Sequence, residues 1–287
     1  MTGCVMALFN PDVGLLRRVI DALAAQVDTL CLVDNSSYDN RAHLPKIKNL
    51  SYIPLYENRG IAEAQNIGIE YLSAQHHNYI LLADQDSIAS QNMVNELKRR
   101  HRILNRIYDV AAVGPMPINR HTGTPYITPK DERILRHIRL EGYDFLETHS
   151  IIASFSLISI EAIRHTGVMD ERLFIDFVDQ EWCWRARRCG LRVFVATDIR
   201  FQHEQGRHLS ALGLSLKIST PARLYFQIRN LLWLLRQDLA PHTWRRKNIR
   251  KMCYKIIGYP LLIAPRNAYI KSIYRGLRDG VFGRQGF

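Results

Sequence analysis

A chain of 287 residues with 47% hydrophobic residues has room for one large α/β domain and an appendage, and is too apolar for wholesale disorder. The net charge of +12 belongs to its end: residues 211–287 carry 15 Lys and Arg against Asp238 and Asp279, while residues 1–210 carry 24 against 25 acids. Five cysteines (Cys4, Cys31, Cys183, Cys189, Cys253) form no C-x-x-C pair, which suits a reducing compartment and argues against a zinc site or a disulfide framework.

Gly3 to Phe9 reads as a buried strand stopped by Asn10-Pro11, with no charged stretch of a signal peptide before it. Leu15, Leu16, Val19, Ile20, Leu23 and Val27 then recur at helical spacing. Thr29 to Val33 predicts a second strand ending in Asp34-Asn35-Ser36-Ser37, and Ser51 to Leu55 a third, demoted to an edge by Pro54. A helix from about Ile61 to Leu72, a strand over Asn78 to Ala83 and a helix near Gln91 to Leu104 follow. This alternation predicts βαβ units and a largely parallel sheet, whose ligands sit outside the carboxyl ends of the strands. Asn10, Asp34, Asn58 and Asp84 all fall just past a strand and should converge on one crevice. Residues 115–150 read as loop-rich, Ile151 to Ile160 resumes the apolar pattern, and Arg192 to Ala196 looks like a last strand. After about residue 210 strands disappear, leaving helices around Leu224 to Leu235 and Ile270 to Leu277.

Two acidic clusters carry the chemistry. In Asp84-Gln85-Asp86-Ser87, carboxylates at i and i+2 past a buried strand can both face one hard cation. Haloacid-dehalogenase-type phosphotransferases also place Asp-x-Asp after a strand, but at the start of the chain and before x-Thr or x-Val, unlike Ser87-Ile88 here. In the second cluster Asp176, Asp179 and Glu181 crowd the start of a predicted helix. Asp179 is either its N-cap or a base whose pKa its neighbours raise. Asn58-Arg59-Gly60 sets a glycine turn before a helix, offering backbone N–H groups to a phosphate or simply starting the helix. His203, in Phe201-Gln202-His203-Glu204-Gln205-Gly206, is either a metal ligand or an ordinary polar loop residue.

Together these stretches resemble the inverting glycosyltransferases of family 2. The resemblance rests on Val33-Asp34-Asn35-Ser36-Ser37, Asn58-Arg59-Gly60-Ile61-Ala62 with Asn66-Ile67-Gly68, Asp84-Gln85-Asp86-Ser87, Asp170 to Asp176, and Asp179-Gln180-Glu181-Trp182. The wording Asp-Gln-Asp-Ser and Phe-Ile-Asp-x-Val-Asp-x-Glu-Trp is most similar to the bacterial rhamnosyltransferases of that family. Arg223 to Asn230 and Gly276 to Gly280 extend the similarity nearly to the C-terminus.

The resemblance implies an α/β GT-A fold, a Rossmann-like, mixed and mostly parallel sheet flanked by helices, over residues 1–210, with a basic helical C-terminal region over 211–287. It implies transfer of a sugar, L-rhamnose from dTDP-L-rhamnose, to a lipid-linked or surface polysaccharide acceptor with inversion. Asp86, with His203 as second ligand, would hold Mg²⁺ or Mn²⁺, and Asp84 would face the ribose and help hold that cation. Asp34 would accept the pyrimidine N3–H, and Asn10, Asn35, Asn58, Gly60 and Asn66 would complete the nucleotide-sugar site. Asp179 would take the acceptor proton. Ser154 and Phe155, where the family's loop usually carries glycine instead of Phe155, would lie on the acceptor side with Glu181 and Trp182. A UDP-hexose or UDP-galactofuranose donor would use the same apparatus.

The pI of about 9.6 alone would also fit a nucleic-acid-binding protein, but the basic residues lack a recognition motif and lie apart from the acidic sites. Their expected partner is the anionic cytoplasmic face of a membrane. Lys271, Arg275 and Arg278 recur beside Ile270, Ile273, Tyr274 and Leu277, and Ile256 to Ala264, broken by Pro260, is too short to span but long enough to dip into headgroups.

Overall fold

The computed structural model describes residues 1–128, 131, 133–203, 208–211 and 214–284. They form two compact units, one of residues 1–171 with 178–203, the other of residues 172–177 with the described part of 204–287. The piece 172–177 lies inside the span that the sequence assigns to the first region. Its allegiance comes from Arg229, which donates to the carbonyl of Leu173, and Asn230, which donates to those of Leu173 and Ile175.

The first unit is built on β1 (Thr2–Leu8), β2 (Thr29–Asp34), β3 (Leu50–Pro54), β4 (Tyr79–Asp84), β5 (Val110–Asn119), β6 (Ile134–Leu140), β7 (Tyr143–Thr148), β8 (Ser156–Ser159) and β9 (Arg192–His203), in the order β3-β2-β1-β4-β8-β5-β9-β7-β6. β3, β2, β1 and β4 run parallel, as βαβ crossovers require, and Pro54 sits at the end of the edge strand, as expected. β8 enters antiparallel between β4 and β5, β9 returns parallel to β5, and β7 and β6 continue antiparallel.

The connecting helix α1 (Val13–Ala24) starts on Asp12, whose carboxylate accepts the Leu15 N–H, and buries Leu16, Val19, Ile20 and Leu23. In α2 (Gly60–Ser73) Gly68 meets β1 so closely that a Cβ there would stand 2.4 Å from Val5 Cγ1. α3 (Met93–Leu104), α4 (Ile160–Thr166) and α5 (Val178–Arg188) complete the unit.

Residues 115–150, expected to be loop-rich, contribute strands on both sides of a loop. β5 extends through Asn119, and β6 and β7 form a hairpin turned by Glu141 (φ 49°) and Gly142 (φ 83°), the two-residue geometry that matches strand twist. The hairpin is inconspicuous in sequence because β6 (ILRHIRL) buries no residue fully and reads as polar. β9 likewise runs on to His203, past the polar Thr197-Asp198 that breaks its apolar run.

In the second unit, strands do not disappear: β10 (His208–Ala211) and β11 (Leu214–Lys217) pair antiparallel. α6 (Pro221–Arg236) follows, with Thr220 accepting the Arg223 N–H and Pro221 in the first turn. α7 (His242–Leu262) continues through Pro260, and α8 is Arg266–Phe282. Leu224, Ile228, Leu231, Met252, Tyr259, Tyr269 and Ile273 form their shared core. Gly276 and Gly280 let α8 lie against α6: a Cβ at Gly276 would be 3.0 Å from both Ile228 Cβ and the Tyr225 carbonyl.

Candidate active site

The parallel register brings the ends of β1, β2 and β4 level, with Leu8 opposite Asp34 and Ala7 opposite Asp84. Side chains then tie the three ends together. Gln85 accepts the Phe9 N–H (2.8 Å) and donates to the Phe9 carbonyl (3.2 Å), and the Asn10 N–H donates to Ser36 Oγ (2.8 Å). Gln85 was not among the expected site residues. Its position between two site aspartates is the available signal, since alternation turns it away from both.

Asp84 is half-buried, Asp86 exposed and Asp179 half-buried. The turn before β8 serves two of them. The Ala153 N–H donates to Asp179 Oδ2 (3.3 Å), Ser154 Oγ donates to Asp84 Oδ2, and the Phe155 N–H donates to the Leu82 carbonyl (2.8 Å). Burial, reinforced by the Asp86 carboxylate, holds the Asp84 carboxyl above the usual carboxylate range, and the Ser154 hydroxyl and His203 pull it back. Asp179 is not the N-cap of α5, which begins at Val178. It sits in the first turn, its Oδ1 accepting the Gln180 N–H (2.9 Å). Of its acidic neighbours, Glu181 is 2% exposed and paired with Arg185 at 2.8 Å, and Asp176 belongs to the second unit, where Arg223 takes it. The expected crowding of three like charges is thereby relieved by two ion pairs.

Several of the expected ligand contacts already hold hydrogen bonds within the chain. Asn35 is 3% exposed, accepting the Arg59 N–H and donating to the Gly60 carbonyl. Asn66 is 7% exposed, its amide bonded to both backbone groups of Met169 and to Glu171. Asp34 is buried and accepts from Asn40 Nδ2, Tyr52 OH and the Ser36 N–H, so it braces the loop after β2. Exposed Asn58 accepts the Gly60 N–H (3.1 Å), which takes the first amide of α2 away from any phosphate.

On the acceptor side, Trp182 is buried with its indole N–H on the Gly167 carbonyl. Phe155 is fully buried, its ring edge-on to Phe201 at 5.0 Å. Its φ of +60° explains why glycine suits this position: the turn needs a left-handed residue, and here aromatic burial offsets the strain.

His203 ends β9, and its Nδ1 is buried without a hydrogen-bond partner among the described residues. Two carboxylates and an uncommitted imidazole nitrogen fit a divalent cation that accepts oxygen and nitrogen. Among the described residues, no three His, Cys, Asp or Glu side chains are already gathered closely enough to hold one.

Solved structures share this architecture. That of GalNAc-T7 with UDP, GalNAc and Mn²⁺ superposes with a TM-score of 0.56 at 15% identity, over 91% of this chain and 57% of that one. That of Staphylococcus aureus TarS 1–349 with UDP-GlcNAc does so with a TM-score of 0.54 at 12% identity, over 99% and 83%. The fold is thus GT-A. The sequence profile of glycosyl transferase family 2 matches residues 4–167, and a dTDP-rhamnosyl transferase, RfbF of Shigella flexneri, is 30% identical over 290 residues, 98% of this chain and 96% of that protein. The chain belongs to glycosyl transferase family 2.

Proposed function

We propose that this enzyme transfers L-rhamnose from dTDP-L-rhamnose, with inversion, to a lipid-linked or surface polysaccharide acceptor of O-antigen or capsule type. The carrying observation is the similarity to the dTDP-rhamnosyl transferase over nearly the whole of both chains, including the region beyond the family profile. Asp86 and His203, with Asp84, would hold Mg²⁺ or Mn²⁺, which when bound would supply positive charge against the diphosphate of the donor. Ser154 holds Asp84 in place, and Asp179, oriented by the Ala153 amide, takes the proton of the attacking hydroxyl on the opposite face of the sugar. A panel of nucleotide sugars decides the donor: faster dTDP release from dTDP-L-rhamnose than UDP release from UDP-hexoses or UDP-galactofuranose is expected, and the reverse order refutes it.

We also infer a place on the cytoplasmic face of an anionic membrane. Among the described residues no helix is long and apolar enough to cross a membrane. On α8, Ile270, Tyr274, Leu277 and Val281 are exposed at i, i+4, i+7 and i+11 beside the exposed Lys271, and on α7 Tyr254, Ile257, Leu261 and Leu262 are exposed below Arg246 and Arg250. This differs in detail from the sequence expectation. Ile273 is buried, Ile256 and Ile263 pack on the core, Arg275 lies over the Tyr225 ring and Arg278 binds Asp279. An exposed apolar stripe with basic flanks is what an interfacial helix presents to anionic lipid. Flotation with anionic vesicles should be lost in Ile257→Asp/Tyr274→Asp, and flotation undiminished by both changes refutes the surface.

A further inference from the structure

Between α6 and the end of α8, wholly within the second unit, lies a cavity of about 10 Å³, roughly the space that one water molecule needs. Arg172, Arg229, Trp233 and Arg284 line it, with Gly280 and Gly283 at the end of α8.

These side chains are donors gathered without an acceptor. Arg229 is 5% exposed, yet among the described residues no carboxylate pairs with it. Its Nη2 donates to the carbonyls of Arg172 (2.5 Å) and Leu173 (3.2 Å), and both Nη2 (2.8 Å) and Nε (3.0 Å) donate to Asn230 Oδ1. All of these acceptors are neutral. A buried guanidinium so placed keeps its whole charge, which is costly unless an anion answers it. Trp233 adds an indole N–H that is buried without a hydrogen-bond partner among the described residues. Arg172 lies over the Trp233 ring, 4.7 Å from its centroid. Neither a guanidinium nor an indole accepts a hydrogen bond, so the donors cannot satisfy one another.

The acid at the cavity is already engaged. Asp279, 1% exposed, accepts from Arg278 Nε (2.7 Å) and from the Tyr225 hydroxyl (3.0 Å). The last carbonyls of a helix repel anions, but here that of Asp279 accepts the Arg284 N–H (2.9 Å) and that of Val281 accepts from Arg236.

We propose that this cavity is a phosphate site. One oxygen enters beside the Arg229 guanidinium and the Trp233 indole, and the others stay outside with the exposed Arg172 and Arg284. Guanidinium forks match phosphate oxygens in geometry and hold them by charge-assisted hydrogen bonds. A water molecule fits the same space but carries no charge, and leaves that of Arg229 unanswered. The phosphate comes from a free anion or from a lipid headgroup. Val281 and Phe282, exposed beside Gly280 and Gly283 in the chain, suit the second source. The site stands whether or not the apolar stripes of α7 and α8 meet a membrane.

Titration calorimetry of the full chain with inorganic phosphate, without added metal, tests it. Trp233→Phe keeps an aromatic ring and removes the N–H, and should weaken binding roughly ten- to a hundredfold. Arg284→Gln, at the exposed rim, should weaken it about two- to fivefold, and keeps the test open if Trp233→Phe fails to fold. Flotation with phosphatidic acid vesicles separates the sources. Flotation weakened by either variant assigns the phosphate to a headgroup; unchanged flotation with weakened calorimetric binding assigns it to the free anion. Either result supports the site. Phosphate binding and flotation equal in wild type and both variants overturn the proposal, as does a wild-type chain that binds neither phosphate nor vesicles.

Discussion

Asp84 and Asp179 are hydrogen-bonded to consecutive residues of one turn, Asp84 to the Ser154 hydroxyl and Asp179 to the Ala153 amide. The donor-side carboxylate on β4 and the proposed base on α5 are therefore registered against each other by two adjacent residues, rather than by separate loops.

Ser154→Ala tests that registration. It removes one donor from a carboxylate that burial already disfavours, so affinity for dTDP in the presence of Mg²⁺ should fall roughly ten- to a hundredfold, the scale of one hydrogen bond to a charged group. Titration calorimetry reads it, and unchanged affinity means that the turn only fills space.

Metal dependence is read by removal and return. Chelator should abolish transfer, and Mg²⁺ or Mn²⁺ should restore it. Asp86→Ala should weaken nucleotide-diphosphate binding when metal is present and leave metal-free binding unchanged. Full turnover in chelator would leave the aspartates as polar positioning groups.

His101 makes the fold sensitive to acid. It is 3% exposed, edge-on to Tyr79 at 5.0 Å, and burial pushes its pKa from 6.5 down to about 4. A depressed folded-state pKa means that the contribution is intact above pH 6.5 and is lost as pH falls towards 4, by up to about 3 kcal/mol. His101→Gln should flatten the fall in urea midpoint between pH 6.5 and 4, and an unchanged slope assigns acid sensitivity to other groups.

Gly276 tests the packing of α8 on α6. A valine there would meet the Tyr225 carbonyl and Ile228 Cβ, neither of which can rotate aside, so Gly276→Val should destabilise by about 1–3 kcal/mol. Calorimetric melting measures this, and a raised Tm would mean that helix propensity outweighs the clash.

Much of this was legible in sequence. β4 carries its apolar run openly, so the pattern alone puts Asp84 at its end and Asp86 just past it. The hydrogen bonds of Asn35, Asn66 and Glu181 within the chain were not legible. A polar side chain turned inward to hold a loop has the same letter as one turned towards a ligand, and its partner can lie far away, 103 residues for Asn66 and Met169. The positive φ of Phe174, Asp176 and Phe177 was illegible because Phe and Asp do not advertise a left-handed backbone. The β6–β7 hairpin was missed because an edge hairpin needs little apolar sequence.

Asp179 is the proposed base that takes the acceptor proton. Transfer from dTDP-L-rhamnose to a lipid-linked acceptor extract is measured for Asp179→Asn alongside donor affinity. A loss of roughly two to four orders of magnitude in kcat with donor affinity unchanged is expected. Turnover within a few-fold of wild type in Asp179→Asn, with Asp176→Asn inactive, would contradict it.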